Sequence, residues 1–162
     1  MSAQLKSQMP ILQAATPTDL DQIGARLVTA LAPGDVIGFS GVLGAGKSHL
    51  CRAMIRTLLA DPIAEVPSPS YTLVNVYQTK IGPVWHVDLY RIADPDELQE
   101  IGLEEAMIDS VVLIEWPERL SGRPDRYAEI TISVAATEHR DLTLVTQGRG
   151  WERLTQAWMD AR

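Results

Sequence analysis

Residues 41–48 read Gly-Val-Leu-Gly-Ala-Gly-Lys-Ser, matching G-x-x-x-x-G-K-[ST] without a gap. This pattern suits a polyphosphate. Successive backbone N–H groups can wrap several anionic oxygens only where side chains do not intrude, so Gly41, Gly44 and Gly46 alternate with Val42, Leu43 and Ala45. Lys47 supplies a point charge for the β- and γ-phosphates, and the Ser48 hydroxyl supplies a hard oxygen for Mg²⁺. The plain alternative is a glycine-rich turn before an ordinary helix.

The flanking residues favour the phosphate loop. Val36–Ser40 is a short apolar run of the kind that forms a buried strand. From His49 to Leu59, apolar residues at 50, 54, 55, 58 and 59 have helical spacing, and a helix starting near Lys47 turns its positive dipole end toward the phosphates. Strand, loop and helix follow in the required order.

Two acids complete the candidate chemistry. Glu115 follows Val111-Val112-Leu113-Ile114, which predicts a carboxylate at the ligand-binding edge of an α/β sheet, placed to hold Mg²⁺ through water or to orient an attacking water. Asp88 closes the apolar run Val84–Leu89 and is either a solvated strand-end residue or a holder of metal-bound water. The two acids are not separable by sequence. His86 reads as a strand residue, because no second His or Cys stands at a ligand spacing. Residues 66–72, with two prolines and three hydroxyls, read equally as a stiff connector or as a switch loop meeting metal or γ-phosphate through Ser70 or Thr72. Trp116 reads as packing or as a contact surface near the site.

The 162 residues suit one domain, 1–162, with a sizeable core; hydrophobic content of 46% and charged content of 22% are ordinary for a soluble protein. No membrane span or signal peptide is legible, and the single Cys51, read as a small core residue, fits a reducing cytoplasm. Fourteen basic against 21 acidic residues give a net charge of −7, which opposes broad, unaided nucleic-acid binding and leaves RNA contact to a partner.

Residues 1–15 carry few signals and are expected to be partly mobile, with Ile11 and Leu12 a candidate edge strand. Thr16-Pro17-Thr18-Asp19 predicts a capped helix start lying on the sheet or near the nucleotide base, with the helix running to Pro33-Gly34. Residues 73–77 and 84–89 predict an antiparallel hairpin turning through Gln78–Pro83. Short helices are expected at 94–102 and 103–108, strands at 127–135 and 141–147 forming a structural edge, and an amphipathic helix over 150–162. Nothing in the last third reads as catalytic. The fold class is therefore a three-layer α/β P-loop NTPase-type domain with a mixed, centrally parallel sheet and an antiparallel hairpin.

With these motifs in view, the chain resembles the bacterial TsaE (YjeE-type) family, small P-loop ATPases of tRNA threonylcarbamoyladenosine synthesis. The resemblance rests on G-V-L-G-A-G-K-S at 41–48, S-P-S-Y-T-L-V at 68–74, H-V-D-L-Y-R at 86–91, E-L-Q-E-I-G at 97–102 and I-E-W-P-E at 114–118. It implies a cytoplasmic, Mg²⁺-dependent ATPase acting with TsaB and TsaD, with tRNA reached indirectly through that complex. It also implies phosphate and metal roles for Lys47 and Ser48, a switch segment at Ser70 and Thr72, and an acidic site position for Asp88. Glu115 takes the Walker-B position, followed by the family's tryptophan at Trp116. Three residues depart from the usual pattern: Val42 replaces an acid, Ser48 replaces Thr, and His49 replaces a second hydroxyl.

Hydrolysis is expected to be slow in the isolated protein, because no arginine finger is evident; Arg91 is a candidate or a structural ion-pair residue. Two other functions compete: a small-molecule or nucleotide kinase on the same loop, and a nucleotide-gated binding module. A kinase is disfavoured by the absence of an arginine cluster after the P-loop helix.

Overall fold

The computed structural model describes residues 6–136 and 138–162. Strands β1 (Lys6–Gln8) and β2 (Leu12–Ala14) precede helix α1 (Pro17–Leu27). Strand β3 (Val36–Ser40) leads through the glycine loop into α2 (Lys47–Leu59). The hairpin β4 (Val74–Thr79) and β5 (Gly82–Asp88) follows, then α3 (Glu97–Glu100), α4 (Leu103–Asp109) and β6 (Val111–Glu115). Strands β7 (Tyr127–Val134) and β8 (Arg140–Gln147) and helix α5 (Glu152–Asp160) complete the chain.

Among the described residues one sheet runs β1-β8-β7-β3-β6-β5-β4, with β2 also on β8. Its centre, β7-β3-β6-β5, is parallel; β4 and β8 add antiparallel flanks. Alternation along the strands divides the core in two. Ile37, Phe39, Leu113 and Ile130 face α1, α2 and α5, whereas Val36, Val112, Ile114 and Val87 face α3 and α4. Three layers result, as the sequence predicts.

Local signals explain the helix boundaries. Thr16 accepts from the Asp19 N–H while Asp19 accepts from the Thr16 N–H, a reciprocal capping box with Pro17 at the first helical position. The helix is shorter than expected: it passes into a 3-10 turn at Val28–Ala30 before Pro33 is reached.

Three expectations need correction. The hairpin turns at Lys80-Ile81, and Gly82-Pro83 lie in β5, where Pro83 opposes Gln78. Strand β7 is interior, pairing β3 on one side and β8 on the other, so the last third builds the sheet's centre as well as its edge. Residues 6–8 and 12–14 are ordered by antiparallel pairing with β8: the candidate edge strand at Ile11 and Leu12 is found one residue on, at Leu12–Ala14, whereas residues 6–8 had no local signature; residues 1–5 of the expected mobile segment lie outside the described residues.

A polar cluster joins β3 to β7. Glu129 accepts from Ser40 Oγ, from Tyr127 Oη at 2.9 Å and from Arg123 Nε at 3.2 Å. Burial raises the Glu129 pKa, but these three bonds outweigh it and hold the carboxyl below its ordinary range. A lowered folded pKa means stability that is present above the unfolded value, about 4.3, and lost as pH falls through the folded one. Glu129→Gln is therefore expected to flatten the loss of stability on acidification below about pH 4, read by urea unfolding across pH. Gly38 sits beneath the same tyrosine, and a Cβ there would stand 1.7 Å from Tyr127 Oη. Gly38→Ala is expected to cost about 1–3 kcal/mol of unfolding free energy as the buried ring is forced aside.

Candidate active site

Parallel pairing brings the chemistry to one edge. Phe39 and Asp88 both lie in register with Glu115, so the carboxyl ends of β3, β6 and β5 present the loop, Glu115 and Asp88 side by side. The loop takes the backbone path its glycines permit: Gly41, Gly44 and Gly46 have φ of 149°, 79° and 115°. At Gly41 a side chain is also excluded by packing, since a Cβ would lie 2.4 Å from the Ile132 carbonyl oxygen of β7. No side chain caps α2, whose N-terminal N–H groups start at the loop.

Lys47 folds back into this cradle. Its Nζ donates to the Gly41 carbonyl at 2.5 Å and the Val42 carbonyl at 2.8 Å, and lies 4.2 Å from the Trp116 ring centroid. Burial lowers the lysine pKa, while Glu115, Glu118 and Asp88 pull it back up. Trp116 takes a left-handed backbone (φ 59°), an uncommon state for a bulky residue, and its ring packs against Tyr90.

Ser48 Oγ donates to Glu115 Oε1 at 2.6 Å. The second oxygen, Glu115 Oε2, meets His86 Nε2 at 2.7 Å, and both side chains are about 1% exposed. A hydroxyl and a carboxylate meeting at the mouth of a glycine loop are a fitting oxygen pair for Mg²⁺. Asp88 faces a different partner: Oδ2 accepts from Ser70 Oγ at 3.2 Å and Oδ1 from the Tyr90 N–H. Ser70 in turn bonds Ser68. Thr72 is not drawn in; it is exposed and donates to Asn75. His49 turns outward onto Asp21 of α1, at 2.8 Å. Val42 and Leu43 are exposed at the loop tip, Ala45 is buried, and Arg91 stacks on Tyr71.

Two contributors escaped the sequence reading. His86 holds Glu115, though as a lone histidine on a strand it had no ligand spacing. Arg140, at the start of β8, donates through Nε to the Ala45 carbonyl and so fastens the loop from the last third of the chain. A cavity of about 540 Å³ opens beside the loop, lined by Thr16, Pro17, Leu20, Gly46, His49 and Arg140, where the start of α1 meets the start of α2.

The model of the family described as "Threonylcarbamoyl adenosine biosynthesis protein TsaE" matches residues 14–142. The tRNA threonylcarbamoyladenosine biosynthesis protein TsaE of Bacillus subtilis is 33% identical over 135 residues, covering 82% of this chain and 83% of that one. The TsaE protein of Rickettsia felis is 38% identical over 92 residues, 57% of this chain; the match spans only 53%, about half, of that protein's length. The crystal structure of Bacillus subtilis YdiB superimposes with a TM-score of 0.70 at 26% identity, covering 98% of this chain and 97% of that one.

Proposed function

Because the chain belongs to the TsaE family, we propose that it binds and hydrolyses ATP with Mg²⁺ to support threonylcarbamoyladenosine modification of tRNA. The observation that carries this reading is the Ser48–Glu115 hydrogen bond at the mouth of the loop that holds Lys47. In this reading the loop N–H groups and Lys47 bind the phosphates, and Lys47 exchanges its two loop carbonyls for phosphate oxygens. Ser48 and Glu115, with Asp88 alongside, would hold Mg²⁺, which neutralises charge on the phosphate oxygens. Asp88, paired with Ser70 rather than with Ser48, orients the attacking water, and the Ser68–Ser70 segment serves as the switch. The cavity beside Leu20 and Gly46 receives the nucleoside.

His86 acts through Glu115 as a positioning residue. His86→Gln is expected to lower the turnover number about 10–100-fold while leaving ATP affinity nearly unchanged, a split read by steady-state kinetics beside equilibrium binding.

TsaB and TsaD are the proposed partners, with tRNA reached through them, in the cytoplasm. Among the described residues no helix is long and apolar enough to cross a membrane. The decisive experiment is ATP hydrolysis by the chain alone and with TsaB, TsaD and tRNA. Weak activity that rises with the partners supports the proposal. ADP formation driven only by a small-molecule acceptor would replace it with a kinase, and partner binding that switches between ATP and ADP without faster hydrolysis would replace it with a nucleotide-gated module.

A further inference from the structure

Cys51, His86 and Glu115 converge in the core beside the phosphate loop, and we propose that they form a binding site for a soft divalent cation, of which Zn²⁺ is the representative. One donor atom from each residue lies within 4.8 Å of the others, and all three residues are buried. The placement follows from the fold. Ser48 and Cys51 lie one turn apart on the face of α2 that meets the sheet, opposite His86 of β5 and Glu115 of β6.

The donor set differs in kind from the oxygen site proposed for Mg²⁺. A thiolate, an imidazole and a carboxylate make a mixed sulfur, nitrogen and oxygen set that suits four-coordinate zinc with one open position, whereas Mg²⁺ takes oxygen. His86 supplies the second observation. Its Nε2 meets Glu115, but Nδ1 is buried with no hydrogen-bond partner among the described residues, an uncommon state for a core polar atom. The ring therefore has unused donor or acceptor capacity inside an otherwise packed core.

A cation takes cysteine as its thiolate, so the Cys51 thiol must give up its proton on binding. Cation binding displaces that proton to solvent, forms the metal–sulfur bond and draws the Glu115 carboxylate toward the core, away from Ser48. A soft cation would thus compete with Mg²⁺ for Glu115 and inhibit nucleotide turnover. The plain role of Cys51, a small buried packing residue, predicts no such behaviour.

The test is Co²⁺ titration of the nucleotide-free full chain, followed by Zn²⁺ competition against a chromophoric chelator. The expected result is one cobalt per chain, with the intense visible bands of a four-coordinate ion and a thiolate charge-transfer band. In Cys51→Ala the charge-transfer band disappears. Affinity then falls by more than the about 10–100-fold typical for loss of a mere supporting partner. Its Mg²⁺-dependent ATP hydrolysis is unchanged but resists Zn²⁺. Absence of the charge-transfer band in the wild-type chain, whatever the fate of the variant, overturns the proposal. So does identical cobalt and zinc behaviour in a folded Cys51→Ala protein. The cobalt spectrum requires no ATP, so a chain that binds cobalt this way yet never hydrolyses ATP would refute the ATPase reading and leave the cation site standing.

Discussion

Lys47→Ala is expected to lower ATP hydrolysis by about 10²–10³-fold, the loss typical when one preorganised donor to a developing oxyanion is removed. The side chain already lies inside the loop, donating to the Gly41 and Val42 carbonyls, so its charge is delivered to the phosphates with little reorganisation. Charge-assisted bonds of about 1.5–3 kcal/mol would also be lost from the ground state, weakening ATP binding roughly 10–100-fold. Phosphate release and equilibrium nucleotide binding, measured on protein with a wild-type melting profile, separate the two losses. A Lys47→Ala protein that bound and hydrolysed ATP normally would sink the assignment of this loop. The same lysine lies against Trp116, so nucleotide-dependent tryptophan fluorescence gives a direct view of its departure from the ring.

Glu115→Gln is expected to cut hydrolysis about 10²-fold or more while ATP still binds. The amide keeps the shape and one acceptor for Ser48 or His86 but removes the charge that would hold Mg²⁺. Glu115→Ala should behave differently. It leaves Ser48 Oγ and the buried His86 Nε2 without their carboxylate, which is expected to cost about 1–3 kcal/mol of stability in addition to activity. Urea unfolding of both variants beside single-turnover hydrolysis distinguishes a chemical role from a structural one. Equal hydrolysis by wild type and Glu115→Gln would move the catalytic assignment to Asp88.

The phosphate loop, the capped start of α1, the buried strands β3 and β6 and the hairpin were legible in the residues, because each is encoded within a few neighbours. Three glycines, a lysine and a serine at fixed spacing specify a backbone path and a ligand class together. Thr16, Pro17 and Asp19 cap their own helix. Four apolar residues before Glu115 mark a buried strand with an acid at its end. Element type is therefore local chemistry, and the sequence alone determined it, together with the nucleotide reading and the family resemblance.

Which residues meet was decided only by the tertiary structure. His86 and Glu115 are 29 residues apart, Arg140 and Ala45 are 95 apart, and neither pairing has a local signal. The sequence left Asp88 and Glu115 interchangeable, whereas the fold sets them side by side on neighbouring strands and gives one Ser70 and the other Ser48 as its partner. Ser70 and Thr72 looked alike two positions apart, yet Thr72 turns away to Asn75. Strand β7 read as an edge because alternation reports which side chains face the core and says nothing about which strand lies alongside. Side-chain periodicity is a property of one segment. Neighbourhood in a sheet is set by packing the whole chain at once, and in this protein that packing gives each carboxylate its separate partner.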